Sequence, residues 1–253
     1  MKKIKTFLIS IIFTFIFYGN VVAGTGEATE YKITIYKIEL CDSSSTASAC
    51  NGAVTIFDGD SGAIDIANTT AGAAAASLGN ASAATFGTAY TYLQITMGRD
   101  FTVKGSAADD SGTTCYTKSD GSAGTLAKGS EDSGDEASAT LYAAMVGTSV
   151  GDNLTGLSSL TDTSGVASTI ESDDEYFQYR QELASTFTMV QGNIPSITVA
   201  FGTSAAVGAI DDMGDSCETV GAAKGLYAAE PDVTVTIDSV SYTHLTLPTK
   251  RIV

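Results

Sequence analysis

The chain has 253 residues, with 29 Asp and Glu against 13 Lys and Arg and a net charge of −16. So acidic a surface repels nucleic-acid phosphates and anionic lipid, which argues against both as partners. The length allows one large domain or two small ones.

The first element is "MKKIKTFLISIIFTFIFYGNVVAG". Lys2, Lys3 and Lys5 precede an apolar run over residues 6–18, and Val21 and Ala23 supply small residues, the pattern of a secretory signal cut after Ala23. The run is shorter than the roughly 18–20 apolar residues that span a bilayer, so no transmembrane helix is expected after cleavage. No cysteine sits at the cleavage site, which argues against a lipid anchor. The expectation is an exported protein, periplasmic, cell-surface or extracellular. Residues 24–239, the expected secreted domain, hold eight basic and all 29 acidic residues, a net charge of −21.

"EYKITIYKIEL" reads as a strand, rich in β-branched and aromatic residues, and "AVTIF" as its hairpin partner. Between them Cys41 and Cys50 flank the polar loop "DSSSTASA". An even cysteine count in an exported chain points to two disulfides, and four cysteines allow three pairings. The short loop favours Cys41–Cys50, which leaves Cys115–Cys217. No CxxC pair occurs, so a zinc site or a redox motif is not expected.

"DGDSGAIDIANTTAGAAAASLGNASAATFG" is turn-rich, with one short helix expected over residues 71–78. "AYTYLQITMGRDFTVKG" alternates: Thr91, Leu93, Ile95 and Met97 share one face, and Tyr90, Tyr92, Gln94 and Thr96 the other. From Gly105 to Ser138 the Gly, Ser and Asp content predicts a long decorated loop or a linker. "ATLYAAMVG", "EYFQYRQELASTFTMVQG", "SITVAFG" and "DVTVTI" are further strands. The second of these could instead begin as a helix, since Ser172 and Glu175 have capping-box spacing. Short strands, Gly-rich turns and no strand–helix alternation predict an antiparallel β-sandwich. A disulfide across residues 105–138 favours a single domain.

The last element, "VSYTHLTLPTKRIV" (residues 240–253), holds the only histidine, His244. Read back into codons, its start is similar to a transposase-end sequencing adapter in frame. It is therefore set aside as non-native, and the natural chain is expected to be cut short near Asp238 or Ser239.

"ITIYKIEL", "GAIDIANTTAGAAAASLG" and "GTAYTYLQITM", over residues 31–97, resemble an exported bacterial family of unknown function with a transthyretin-like sandwich. The cysteine loop and the acidic insertion depart from its pattern. The resemblance implies the sandwich and no activity.

Three chemistries are in view. "GTSVG" matches a nucleophile elbow with Ser149 as nucleophile, but residues 24–239 contain no histidine to serve it as base. Carboxylate pairs for glycoside hydrolysis are numerous and none stands out. "FDGDSGAID" places Asp58, Asp60 and Asp65 around Gly62, a spacing that could converge on calcium, though not as an EF-hand. The competing reading is a solvated turn that favours Asp and Gly. Asp211, Asp212 and Asp215 form a second, sparser acidic group. Tyr90, Tyr92, Tyr176 and Tyr179 could offer a face for stacking on a carbohydrate, or pack within the sheets. Together these predict an exported, disulfide-stapled acidic surface, adhesive or binding protein with no catalytic activity, calcium as its candidate cofactor and a cell-surface or carbohydrate partner. The alternatives are an outer-membrane β-barrel and a hydrolase using Ser149 or a carboxylate pair.

Overall fold

The computed structural model describes residues 24–68, 79–120, 126–142, 152–191, 193–210, 217–218 and 225–241. The signal segment, the short helix expected over residues 71–78, Ser149 with its motif, Asp211, Asp212, Asp215 and residues 242–253 lie outside them.

The fold is an all-β antiparallel sandwich organised by one long strand. Apolar residues alternate at Tyr31, Ile33 and Ile35 and, after a register shift, at Ile38 and Leu40, and these make β2 (Ala28–Asp42), with all five buried. On one edge it pairs with β3 (Val54–Asp58) and β4 (Ala63–Asp65). On the other it pairs with β5 (Ala89–Gly98) and β6 (Asp100–Ala108), which follow one another along it with a break at Arg99. β5 also pairs with β11 (Tyr176–Thr188), and β11 with β10 (Leu154–Leu157). β9 (Ala139–Tyr142) lies beside the start of β6.

The other end of β2 closes on itself. β6 pairs with β7 (Thr114–Asp120), β7 with β8 (Ala127–Ser130), β8 with β14 (Gly225–Ala228), β14 with β13 (Val207–Ile210), and β13 with β1 (Thr25–Gly26). Glu27 alone separates β1 from β2, so the strand order begins in and returns to the same run of chain. Ala28 donates its N–H to Thr203 O on one side (2.9 Å), and the Glu27 carbonyl accepts Ser106 N–H on the other (3.2 Å). Six strands thus form a small closed barrel. β7, β8, β13 and β14 have seven, four, four and four residues, shorter than the roughly 9–11 of a strand that crosses a membrane. No helix among the described residues is long and apolar enough to cross one.

A separate ribbon of β12 (Asn193–Gly202) and β15 (Asp232–Ser241) pairs over ten residues and packs on β11, burying Val199, Val235 and Ile237. This is the sandwich's second layer. Val240 and Ser241 continue β15 by pairing with Ile194 and Asn193, so the strand runs two residues past the boundary expected after residue 239.

Residues 105–138 are neither linker nor plain loop: they hold the end of β6, then β7 and β8. Where polar side chains of this stretch are buried, hydrogen bonds to nearby backbone meet them. Thr117 shows how. It is fully buried, and its hydroxyl accepts Gly105 N–H (3.1 Å) and donates to Ala137 O (2.8 Å). Thr117→Val keeps the volume and leaves both backbone groups unmet. It is expected to lower the unfolding free energy by about 2 kcal/mol, read as a shifted urea midpoint at constant slope.

The residues expected either as a strand or as a helix form a strand, β11, and Ser172 and Glu175 belong to the turn before it. Two 3₁₀ turns, Ala81–Ala83 and Ser133–Asp135, are the helical elements described. The disulfides are Cys41–Cys50 (Cα–Cα 5.1 Å) and Cys115–Cys217 (5.6 Å), as the spacing predicted. Two such bridges fit an oxidising, exported location.

Candidate functional site

The side-chain alternation of β2 serves two cavities on opposite faces of one sheet. Tyr31, Ile33 and Ile35 point inward with Ile95, Met97, Phe101 and Phe177, and across from them stand Phe201 and Val233 of the ribbon. They enclose a cavity of about 470 Å³ between the sandwich layers. Thr34 and Tyr36 point outward, with Arg99, Asp100 and Tyr176, into a polar cavity of about 620 Å³. Tyr142, at the end of β9, borders both.

The inner cavity has a polar corner. Glu230, just beyond β14, accepts a hydrogen bond from the Tyr179 hydroxyl (2.7 Å). Gln181 Oε1 lies equally near that hydroxyl (2.7 Å), and its single proton serves one acceptor at a time. The Tyr31 hydroxyl donates to Ala229 O (2.9 Å). Burial, with Glu230 adding to it, raises both phenol pKa values well above the ordinary range, so both hydroxyls keep their protons as donors. Edge-to-face contact between Tyr31 and Phe101 (5.5 Å) and the tilted Phe101–Phe177 pair (5.9 Å) build the aromatic wall.

The outer cavity is organised by Arg99, whose residue is 2 % exposed. The break between β5 and β6 turns it out of the alternation of its neighbours. Nη1 donates to the carbonyls of Asp174 (2.5 Å) and Glu171 (3.2 Å), while Nε and Nη2 have no hydrogen-bond partner among the described residues. The Tyr142 ring covers the guanidinium, 5.0 Å from centroid to Cζ. Tyr36 and Tyr176 meet edge-to-face at 5.1 Å beside it.

Of the tyrosines considered for carbohydrate stacking, Tyr90 is fully buried, stacks on Phe187 at 6.2 Å and accepts Thr85 N–H (3.0 Å). Tyr179 faces the inner cavity and Tyr176 the outer one, so the four do not share a face.

Asp58, Asp60 and Asp65 are dispersed along the crossing from β3 to β4. Asp58 ends β3 opposite Lys37, and Asp60 Oδ1 accepts Gly62 N–H (2.7 Å), with Gly62 at φ 65°. Asp65 lies in β4, where Oδ1 accepts Tyr31 N–H (3.1 Å) and Ala67 N–H (3.1 Å), and Oδ2 the Asn68 amide (2.8 Å). Among the described residues no group of three or more His, Cys, Asp or Glu is placed to hold a metal ion. The glycines and aspartates of this loop keep the chain paired to β2: Gly59 N–H reaches Tyr36 O (2.9 Å) and Ser61 N–H reaches Ile35 O (3.0 Å).

Partial burial works to raise the Asp65 pKa, but the Asn68 side chain and the N–H groups of Tyr31, Ala67 and Asn68 together hold it below the ordinary aspartate value. A carboxyl with a depressed folded-state pKa stabilises the fold above its unfolded pKa, about 3.9, and that contribution fades as pH falls through the folded value. Asp65→Asn should therefore lower Tm at neutral pH and lose less Tm than the wild type on acidification below about pH 4. Parallel Tm–pH curves for the two proteins would contradict this.

The sequence reading did not single out Glu230 or Arg99. Glu230 had a weak signal, an acid between apolar "LYAA" and a proline, whereas Arg99 carried none within an alternating strand. Comparison with family models, curated proteins and solved structures finds no match to this chain.

Proposed function

We propose that the protein is an exported binding protein, and not an enzyme, that takes an apolar ligand bearing one hydrogen-bond donor into the cavity between its sandwich layers. One observation carries this: the cavity of about 470 Å³, walled by aliphatic and aromatic side chains, has one acid, Glu230, among the described residues of its lining. Ligand pockets of about 300–1,000 Å³ combine such walls with a few polar groups that fix orientation. An apolar body displaces water from the walls, and the donor of its head group meets the Glu230 carboxyl or the Tyr179 oxygen. The disulfides and the acidic surface suit a protein that works outside the cytoplasm, and a cell-surface or periplasmic place is part of the proposal.

N-phenyl-1-naphthylamine, a neutral apolar dye with one N–H, tests the reading. Its fluorescence should rise and shift to the blue saturably with the wild type. Ala228→Phe, which fills the cavity from β14, should abolish the rise while Tm is retained, and Glu230→Gln should weaken it. An unchanged rise in folded Ala228→Phe would refute the cavity as the site.

A further inference from the structure

We propose that the outer cavity is a second, independent binding site, for a small zwitterion whose carboxylate docks on the Nε–Nη2 edge of Arg99 and whose ammonium faces a rim of tyrosines and acids. The guanidinium has two ways of offering paired, parallel N–H groups, and here the Nη1 side is already given to backbone carbonyls. The side-on edge, Nε with Nη2, is the pair without a partner among the described residues. Two parallel donors at that spacing match the two oxygens of a carboxylate. A buried cationic donor left unmet is costly, and no carboxylate among the described residues lies within ion-pair distance of Arg99. Asp174, whose backbone carbonyl Arg99 reaches, turns its Oδ2 to Glu171 N–H instead (2.7 Å).

A simple anion would fit Arg99 but not its surroundings. Asp100, Asp173 and Glu175 line the same cavity with their side chains exposed, and the chain as a whole carries −16. That field repels a lone anion. A ligand with its own positive group removes the conflict: the ammonium sits among the rim carboxylates and against the Tyr36 and Tyr176 rings, an arrangement that attracts cations. Amino acids and betaines have both charges a few ångströms apart. The Tyr142 ring is 45 % exposed over the guanidinium, and it must turn aside for the carboxylate to enter.

The experiment is isothermal titration calorimetry on the purified chain with glycine betaine and L-alanine, and with acetate and choline as single-charge controls. At least one zwitterion should bind saturably, with acetate and choline each at least about tenfold weaker, and Arg99→Lys, which keeps the charge but loses the paired edge, should weaken it at least about thirtyfold. Acetate binding as tightly as the zwitterions would overturn the assignment of ligand class. No saturable heat from any probe with folded wild type would overturn the site and leave Arg99 as a clamp on residues 171–174. Should Arg99→Lys fail to fold, Asp173→Asn/Glu175→Gln decides, since both side chains are exposed: zwitterion binding should fall about tenfold while acetate, freed of part of the rim's repulsion, binds no more weakly than before. Undiminished zwitterion binding in that variant would refute the rim's role.

Discussion

Replacing Cys115 and Cys217 together by alanine is expected to lower the unfolding free energy by about 4–5 kcal/mol, a third or more of what a typical domain possesses. The bridge closes a loop with a sequence separation of 102, against 9 for Cys41–Cys50. In the chain-entropy account the shorter loop is worth about 2–3 kcal/mol, so the second double variant should lose roughly half as much. Position reinforces the difference. Among the described residues β8 and β14 are joined by one residue pair, Leu226 with Ala127, the sparsest seam of the barrel there. Cys217 supplies a further contact there, its carbonyl accepting Gly129 N–H at 3.0 Å, while its own backbone sits at φ 56° in the left-handed region. Without the bridge little holds that conformation, and the amides of residues 127–130 should exchange faster than those of β5. Both double variants are compared by guanidinium unfolding with the unbridged state confirmed by thiol titration. Equal losses would show that loop length and seam position are irrelevant to this fold.

The strands that could be read in the sequence are those that bury apolar residues by alternation. "EYKITIYKIEL", "AYTYLQITM", "SITVAFG" and "DVTVTI" became β2, β5, β12 and β15. β7, β8, β10, β13 and β14 escaped because their stretches, such as "TCYTKSD", "AKGS" and "VGAI", are short or polar, and their burial comes from neighbours far along the chain. β5 shows the limit of alternation itself. Gln94 and Thr96, on the face opposite Leu93, Ile95 and Met97, are both buried, and Gln94 donates to Glu39 on the neighbouring strand (2.8 Å). Alternation identified the strand, while the buried polar pairing across strands required the fold.

The sites were less legible for a related reason. An acidic loop such as "FDGDSGAID" announces itself by composition, yet its side chains largely cap their own turn. Arg99 is invisible by composition, and acquires meaning only because the break between β5 and β6 turns it toward the carbonyls of residues 171 and 174. Glu230 likewise matters because Tyr179, 51 residues away, reaches it. Chemistry that depends on contacts across the sheet leaves no local pattern.

Gly105→Ala is expected to cost about 3 kcal/mol, at the upper end of overpacking effects, because the added methyl group has nowhere to go. A Cβ on Gly105 would collide with the Glu27 carbonyl oxygen and the Ala28 Cα, and Val207 Cγ2 would stand 2.8 Å away. Side chains can rotate out of a clash, but these backbone atoms are fixed by the pairing that closes the barrel. Gly26, on the other strand of the same seam, would likewise collide with the Ser106 carbonyl. Glycine on both strands allows the chain entering β2 to lie close against β6, the role glycine plays in strands where backbones approach. Gly112→Ala is the control. It has nothing within 4 Å, and only its backbone, at φ 85°, resists a side chain, so it should cost about 1–2 kcal/mol. The two variants should also differ in where they loosen the fold: Gly105→Ala should speed hydrogen exchange at Ser106 and Ala209, whose N–H groups bond to Glu27 and Gly24 across the two sides of the seam. Gly112→Ala should leave those amides protected. Similar losses and unchanged exchange at Ser106 in both variants would mean that the six strands do not close there, and the barrel would then be an open, curled sheet.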